Sequence, residues 1–393
     1  MEKIFDVCVI GGGASGLVCA IKCAEQGKSV CIVEKFAKLG KKILITGNGR
    51  CNLSNENISA DFYNNKIVDK VFASFSKADT IKFFKNIGTE TFADSEDRIY
   101  PISEIASSVA NALILKLESL RVETFCGEEV LNAKKENDFF KIITASKKII
   151  SKNVVVACGA SSAKNIFANC GHKFLPFQKV LVGLECEKSY DKKLAGLRLN
   201  CEVNCKIENN VFREVGQVQF KENGISGIVI FNLSAFIAKF GNLPAKINLN
   251  LLPKLDKETL KQILLMRKIN CNYFNIENIL LGILPDKISI NLLKKIKINN
   301  LKININNFNE NMLDNLIENI FNYNLKIINT LGEPQVLCGG FDLAEFSNLQ
   351  SKIIKGLFVC GEACGVFGYS GGYNLQWAWS SGAFVSKQIA EEK

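Results

Sequence analysis

The chain has 393 residues, which is too long for a single hydrophobic core, so two or three domains are expected. Its first apolar segment, residues 7–21, is interrupted by glycines and is too short to cross a membrane. It also lacks the basic start and the cleavage site of a secretion signal. The 15 cysteines are scattered and never spaced C-x-x-C, which favours reduced thiols over disulfides. We therefore expect a cytoplasmic protein that does not enter a membrane.

The net charge of +10 allows binding of anionic ligands or nucleic acid. The positive charge is, however, spread along the chain, and no motif of aromatic and basic residues accompanies it. Nucleic acid is therefore not the expected partner, and a small molecule is.

The N-terminus has the pattern of a dinucleotide-binding turn. An apolar run at 5–10 leads into G-G-G-A-S-G at 11–16, a helical pattern follows, and a second strand at 29–33 ends at Glu34. G-x-G-x-x-G directly after a strand, opening a helix and followed about twenty residues later by an acid, is typical of a nucleotide-binding βαβ unit.

Each glycine of this turn has a separate expected role. Gly11 allows the tight turn, Gly13 lets the backbone approach a pyrophosphate, and Gly16 lets the helix pack closely on the strand. Glu34 would accept hydrogen bonds from the adenosine ribose.

A second glycine-rich turn lies near the C-terminus. The apolar run at 357–360 leads into residues 361–376, and a helical pattern continues towards residue 388. Such a turn directs backbone N–H groups and the positive end of a helix dipole at one point. Two turns of this kind, one near each end of the chain, predict one long cofactor held at both ends.

The loop at 38–55 is dominated by Gly, Asn and Ser in its second half, which predicts unusual backbone angles. Arg50 and Asn52 offer donors there that suit a polar ring or a phosphate. Short strands are predicted at 121–125, 129–133, 139–144 and 148–150, forming a small antiparallel flap. Residues 179–252 alternate as strands of a barrel or sandwich, and 256–323 read as helices.

Together these motifs resemble a family of bacterial flavoproteins that contains aminoacetone oxidase and BaiN-type reductases of dehydro bile-acid intermediates. The most specific segments are 39–53, which contains L-G-K-K and G-N-G-R-C-N-L, and 361–376. The resemblance implies an α/β fold with a glutathione-reductase-like FAD-binding Rossmann domain, an inserted β-barrel domain and a small helical insert. The implied boundaries are 1–176 and 345–393 for the FAD-binding domain, 177–254 for the barrel, 255–324 for the helical insert, and 325–344 for return strands.

The resemblance also implies which residues bind FAD. Val130 would contact the adenine through its backbone, and Glu362 would bind a ribityl hydroxyl or the pyrophosphate. The helix start at 372–374 would face flavin N1 and the C2 carbonyl, with 48–52 along the ring. The implied FAD-binding residues are Gly11, Gly13, Ala14, Ser15, Gly16, Glu34, Lys35, Lys42, Asn48, Gly49, Arg50, Cys51, Asn52, Val130, Ala157, Gly159, Gly361, Glu362, Gly371, Gly372, Tyr373 and Asn374.

The sequence departs from the family pattern in the predicted barrel. Members commonly carry Thr-His in a segment where this chain has Lys221 and Glu222 after Phe220, and Ile228 stands where proline is usual. The catalytic residues are therefore unassigned, with Tyr369, Tyr373 and Lys221 as candidates. His172, the one histidine, is interpreted as structural, and no metal site is predicted.

The predicted function is an FAD-dependent oxidoreductase that transfers a hydride between flavin N5 and a small organic substrate. No second G-x-G-x-x-G is present, so NAD(P)H as the electron donor would have to stack directly on the flavin ring. Two alternatives remain open at this point: an FAD-binding protein without efficient turnover, and an RNA-modifying flavoprotein. The sequence does not determine the substrate, the donor, the reaction direction or the oligomeric state.

Overall fold

A computed structural model describes residues 3–167, 170–298 and 300–391. The helices, numbered in chain order, are α1 (Ala14–Glu25), α2 (Ile67–Ser74), α3 (Lys77–Asn86), α4 (Ala106–Ser119), α5 (Ala160–Phe167), α6 (Ile228–Phe240), α7 (Lys257–Asn270), α8 (Asp286–Lys295), α9 (Glu310–Phe321) and α10 (Tyr373–Glu391).

The strands are numbered in the same way. They are β1 (Ile4–Ile10), β2 (Val30–Glu34), β3 (Ser54–Asn55), β4 (Thr91–Ala93), β5 (Arg98–Pro101), β6 (Glu123–Cys126), β7 (Val130–Glu136), β8 (Phe139–Thr144), β9 (Lys148–Val156), β10 (Phe174–Val180), β11 (Gly183–Cys186), β12 (Arg198–Ile207), β13 (Asn210–Phe220), β14 (Gly224–Ser226), β15 (Ala245–Asn250), β16 (Tyr323–Leu331), β17 (Val336–Phe341), β18 (Phe346–Ser347), β19 (Gln350–Ser351) and β20 (Leu357–Val359).

The chain forms two compact units, one of Met1–Gln178 with Val336–Lys393 and one of Lys179–Gln335. The first unit is built on a sheet in the order β18-β19-β20-β9-β1-β2-β6. Strands β20, β9, β1, β2 and β6 run parallel to one another, and the central strands are buried runs of Val, Ile and Cys. Because parallel strands end at the same edge of a sheet, the segments that follow β1, β2, β9 and β20 meet there.

One strand prediction in this unit is wrong in its pairing. The short strand predicted at 121–125 is β6, and it pairs in parallel with β2 in the main sheet instead of joining the antiparallel flap. The flap consists of β7 and β8, which continue antiparallel into β9. Since β6 has only four residues, its own sequence carries too little periodicity to show which partner it takes.

The first and last helices, α1 and α10, pack closely against each other. A Cβ added at Gly382 of α10 would lie 2.3 Å from the carbonyl oxygen of Ser15 in α1. The two helix backbones therefore touch directly at this crossing, and only glycine fits there. The two ends of the chain are joined in one structure by this contact.

The second unit contains the closed antiparallel barrel that the sequence resemblance predicted, in the order β11-β14-β13-β12-β15-β16. Helix α6 packs against it, and a Cβ at Gly216 of β13 would lie 2.9 Å from the side chain of Val229. Helices α7, α8 and α9 belong to the same unit. Within residues 3–167, 170–298 and 300–391, no helix is long and apolar enough to span a lipid bilayer.

A carboxylate lies between the barrel and α6. Glu214 of β13 is half-buried, and the side-chain amide of Asn232 in α6 donates to both of its oxygens, at 3.0 and 3.1 Å. Burial raises the pKa of Glu214 from 4.5 to about 7, and the hydrogen bonds from Asn232 oppose that rise only in part. The folded protein therefore holds a proton on Glu214 at pH values where the unfolded chain has released it.

This raised pKa predicts how stability depends on pH. Between pH 4.5 and about 7, only the folded state holds the proton. The stability that this proton contributes is therefore fully present below pH 4.5 and is lost as the pH rises through about 7. We expect Glu214→Gln to match the wild type at pH 4.5 and to exceed its free energy of unfolding by about 2 kcal/mol at pH 8. Urea denaturation at the two pH values measures this difference. Glu208→Gln, at an exposed position of the same hairpin, should show no such difference, and equal behaviour of the two variants would contradict the prediction.

Candidate cofactor site

The first glycine turn connects β1 to α1 at the carboxyl edge of the main sheet. Gly11 has a φ of +107°, and a Cβ there would lie 2.6 Å from the carbonyl oxygen of Ala157, which follows β9. A Cβ at Gly16 would lie 2.0 Å from the carbonyl oxygen of Gly11. Both glycines are therefore required by the packing of the chain itself.

Gly13 differs from its neighbours, because neither the backbone nor the packing requires a glycine there. Its φ is −85°, a value that any residue adopts, and a Cβ at this position would meet no atom within 4 Å. Gly13 is the residue before α1 begins, so the open space lies at the positive end of a helix dipole. A helix N-terminus with open space in front of it fits an anion such as a pyrophosphate.

Glu34, at the end of β2, is oriented by backbone groups. Its carboxylate accepts hydrogen bonds from the N–H of Gly12 at 2.6 Å and from the N–H of Phe36 at 2.9 Å, and the residue is buried. Each carboxylate oxygen accepts more than one hydrogen bond, so these contacts leave capacity for sugar hydroxyls. Near it, the Lys35 ammonium lies 3.5 Å from the hydroxyl of Ser162. Val130 is buried at the start of β7.

The predicted loop with unusual backbone angles contains two short 3-10 segments within Ile43–Gly49, separated by a kink at Thr46, Gly47 and Asn48, where the backbone angles are not helical. Asn48, Gly49 and Cys51 all have positive φ values, of 55°, 82° and 60°. The Arg50 guanidinium lies 4.4 Å from the centre of the Tyr100 ring. Burial raises the pKa of the Cys51 thiol to about 12, so this cysteine is neither a thiolate nor a reactive nucleophile near neutral pH.

The second glycine turn follows β20 and contacts the first one. Gly361 has a φ of +64°, and a Cβ there would lie 2.4 Å from the hydroxyl oxygen of Ser15. The N–H of Gly361 donates to Ser381 at 2.9 Å, and its carbonyl accepts from the indole of Trp377 at 2.9 Å. The two turns predicted to hold one cofactor therefore lie side by side.

Three further predicted residues meet at this point. The Lys42 ammonium lies 2.9 Å from the carboxylate of Glu362, which also accepts from the N–H of Leu337 at 2.9 Å. A Cβ at Gly159 would lie 3.3 Å from Glu362 and 3.8 Å from the Lys42 nitrogen. The side chain of Lys42 is 71% exposed, so its ammonium can leave this pair for a phosphate at little cost.

The start of α10 is fastened to the loop that ends at β3. Gly372 has a φ of +103°, and a Cβ there would lie 2.2 Å from the carbonyl oxygen of Ser54. In the amide orientation that satisfies both groups, Asn52 accepts from the N–H of Gly372 at 3.1 Å and donates to Ser54 at 2.8 Å. Asn55 donates to the carbonyl of Gly371 at 3.0 Å. The structure thus joins the segments at 48–52 and 371–374, which were predicted separately.

The side chain of Asn374 acts within the protein. Its amide accepts from the N–H of Gly368 at 3.0 Å and donates to the carbonyls of Gly368 and Tyr369, both at 3.1 Å. These contacts close the turn before α10. Any contact of Asn374 with a cofactor would therefore use its backbone.

The sequence interpretation missed Gln376, which connects three elements. This residue is fully buried, accepts from the hydroxyl of Ser54 at 2.7 Å, and donates to Thr80 and Ser380 at 2.8 Å each. A glutamine in a helix normally faces solvent, so its type gave no signal. Its position, four residues after the tight turn at Gly372 and at the end of the segment 361–376 that carries the family resemblance, was the available hint.

The catalytic candidates lie in different parts of the structure. Tyr369 and Tyr373 both pack on the ring of Phe62, with ring centres 5.5 and 5.2 Å apart. Tyr373 is buried and Tyr369 is partly exposed, and the hydroxyl of Tyr63 donates to the backbone carbonyl of Tyr373 at 2.6 Å. Lys221 lies in the second unit, exposed in the turn between β13 and β14.

His172 has a structural environment. Its Nε2 lies 2.8 Å from the hydroxyl of Ser351, and its Nδ1 lies 2.9 Å from the carboxylate of Glu345. The Ser351 oxygen already accepts from the N–H groups of Ile353 and Ile354, so its proton goes to Nε2 and the ring proton lies on Nδ1. The imidazole also stacks on Phe346 and is buried. It connects the segment before β10 to Ser351 of β19 and to Glu345, the residue before β18.

Comparison with known proteins agrees with this geometry. The model of the HI0933-like protein Rossmann domain matches residues 5–388. A 3-dehydro-bile acid delta(4,6)-reductase of Clostridium scindens is 32% identical over 98% of both chains. A ribosomal RNA dihydrouridine synthase of Escherichia coli is 26% identical over 100% of both chains.

A solved structure shows the same fold at low sequence identity. The 3-ketosteroid-delta4-(5alpha)-dehydrogenase of Rhodococcus jostii RHA1 is 12% identical and has a TM-score of 0.51. The alignment covers 100% of this chain and 98% of that chain. The two glycine turns at one edge of a parallel sheet, on this fold, define an FAD-dependent oxidoreductase. The chain belongs to the HI0933-like family.

The contrast between Gly13 and Gly16 provides a test of the cofactor site. We expect Gly13→Val to fold normally and to be purified without flavin, because its side chain would enter only the open space before α1. Gly16→Val should instead lower the stability of the fold, because its Cβ would overlap the carbonyl of Gly11. The ratio of visible to ultraviolet absorbance measures the flavin, and circular dichroism measures the fold. A Gly13→Val protein with a full complement of flavin would show that the pyrophosphate does not lie at this turn.

Proposed function

We propose that the protein uses bound FAD to reduce a small apolar ketone whose carbonyl is conjugated with a carbon–carbon double bond. The relative named a 3-dehydro-bile acid delta(4,6)-reductase, 32% identical over 98% of this chain, supports this substrate class. When bound, FAD supplies a hydride acceptor and donor at its N5 atom. The observation that carries the proposal is the open, glycine-lined N-terminus of α1 beside the second turn.

The first turn and β2 would hold the adenosine half of the cofactor. The N-terminus of α1 faces the pyrophosphate in this proposal, and Lys42 exchanges its ion pair with Glu362 for a phosphate oxygen. Glu34, already held by two backbone N–H groups, accepts hydrogen bonds from the ribose hydroxyls. Specific hydrogen bonds and helix-dipole interactions would thus bind the half of the cofactor that takes no part in the chemistry.

The second turn would bind the flavin half of the cofactor, which takes part in the reaction. The N-terminus of α10, fixed by the contacts of Asn52 and Asn55 to Gly372 and Gly371, presents backbone N–H groups and a positive dipole end. Such an arrangement stabilises negative charge that develops on a nearby carbonyl or ring nitrogen, and it does so without any reorganisation during the reaction.

A proton must accompany the hydride when a conjugated double bond is reduced. Of the two tyrosines beside this turn, we propose Tyr369 as the proton donor, because it is partly exposed whereas Tyr373 is buried against Phe62 and Tyr63. Lys221, in the second unit, stays a catalytic candidate named from the sequence, and we assign it no step. We also propose NADH or NADPH as the electron donor, acting directly at the flavin.

Anaerobic stopped-flow spectroscopy tests the proposal in two stages. Mixing the purified holoprotein with NADH or NADPH should abolish the visible absorbance of oxidised flavin. Adding a 3-keto-4-ene steroid such as 4-androstene-3,17-dione should then restore that absorbance, and mass spectrometry should show a product heavier by two hydrogens. A flavin that neither nucleotide reduces would contradict the choice of electron donor, and a reduced flavin that the ketone leaves unchanged would contradict the substrate class.

The Tyr369→Phe variant separates the two stages. Its flavin should be reduced by the nucleotide at the wild-type rate, while the ketone step should slow by about 100-fold because the proton donor is lost. Tyr273→Phe, at an exposed tyrosine of the second unit, is the matched control and should leave both steps unchanged. A uridine-containing RNA in place of the ketone tests the alternative substrate suggested by the name of the Escherichia coli relative.

A further inference from the structure

The outward face of helix α7, in the second unit, is exposed and apolar. Ile263, Met266 and Ile269 are 37%, 53% and 68% exposed, and Tyr273, just after the helix, is 75% exposed. Residues three apart lie on one face of a helix, so the three aliphatic side chains form a continuous stripe. The opposite face, with Leu260 and Leu264, is buried.

The four cations of α7 are bound by other elements of the second unit, and its one acidic residue, Glu258, is exposed in the first turn, before the stripe begins. Lys261 forms an ion pair with Asp314 of α9 at 2.8 Å, and Lys257 pairs with Glu318 of the same helix. The Arg267 guanidinium donates to the carbonyls of Ile279 and Leu281, at 2.8 Å each, and Lys268 donates to the carbonyl of Phe308 at 2.6 Å. Each of these cations is thus held by a neighbouring element of its own unit.

The exposed positions of α7 from residue 259 onwards are therefore uncharged, in a chain with a net charge of +10. Besides the aliphatic residues they include the amides Gln262 and Asn270. A surface without charge avoids the repulsion that two copies of a basic protein would otherwise experience on contact. A membrane-binding helix would instead carry lysine and arginine at the edges of its apolar face.

The order of residues on this stripe is also symmetric. An isoleucine lies three positions from Met266 in each direction along the chain, at Ile263 and Ile269. A side-chain amide lies four positions away in each direction, at Gln262 and Asn270. Two antiparallel copies of the helix, crossing at Met266, would place Ile263 of one copy opposite Ile269 of the other. The same crossing would place the Gln262 and Asn270 amides opposite each other, where they can form hydrogen bonds.

We propose that this face of α7 binds a second copy of the chain, forming a two-fold symmetric homodimer with antiparallel α7 helices around Met266. A self-complementary patch is what a two-fold interface requires, because the same surface serves both partners. A single helix face is a small interface, so the dimer should dissociate at concentrations on the order of micromolar.

Sedimentation velocity of the holoprotein between about 1 and 200 µM tests this proposal. The wild type should change from monomer to dimer over this range. Met266→Lys should raise the dissociation constant at least about tenfold, because it brings two cations together at the symmetry axis. The matched control is Leu115→Lys, at a leucine of the first unit that is 64% exposed, and it should associate like the wild type.

A pair of double variants tests the antiparallel register. Gln262→Lys with Asn270→Glu places opposite charges across the interface, so its dimer should be at least as stable as the wild type and should weaken with added salt. Gln262→Lys with Asn270→Lys places like charges there and should be monomeric. A wild type that stays monomeric at 200 µM, or a dimer that Met266→Lys leaves intact, would overturn the proposal.

Discussion

The structure of the first unit depends on the direct backbone contact between the two ends of the chain. Helices α1 and α10 cross at Gly382, where no side chain fits, and the backbone of Gly361 lies against the side chain of Ser15. These contacts bring two glycine turns that are far apart in sequence to one edge of the parallel sheet. Because each turn leads into a helix, our proposal assigns the two helix N-termini to the two halves of one elongated cofactor. The cofactor site follows from this crossing more than from any individual side chain.

Three side-chain amides, of which those of Asn52 and Gln376 are buried, hold the two turns in place. Asn52 connects the loop after β2 to the start of α10, Asn374 closes the turn before that helix, and Gln376 connects β3 to α3. Among the described residues, no buried side-chain nitrogen or oxygen lacks a hydrogen-bond partner. A fully satisfied buried network is rigid, since breaking any one bond leaves a polar group without water or partner. Rigidity of this kind is useful for a helix start that has to stabilise charge without moving.

Features encoded by short segments of sequence could be predicted well. The β1 to α1 turn and the buried parallel strands follow from local patterns of glycine and of apolar runs, whereas alternation predicted a barrel or sandwich and the family resemblance selected the barrel. The pairing of β6 with β2 could not be predicted, because a four-residue strand carries no information about its partner. The roles of the buried Gln376 and the half-buried Glu214 were missed for a related reason, since the surroundings of a polar side chain are known only when the distant segments that pack on it are known. The assignment of individual residues to FAD stays a prediction, supported by the open space at Gly13 and the meeting of Lys42, Gly159 and Glu362.

The most direct test of the central claim is the identity and amount of the cofactor in the wild-type protein. Heat denaturation followed by chromatography with absorbance detection separates FAD from FMN and quantifies both. The account predicts one equivalent of FAD for each chain, since the open N-terminus of α1 has the position for a pyrophosphate, which FAD has and FMN lacks. A protein that released FMN, or that bound no flavin even after incubation with excess FAD, would contradict it.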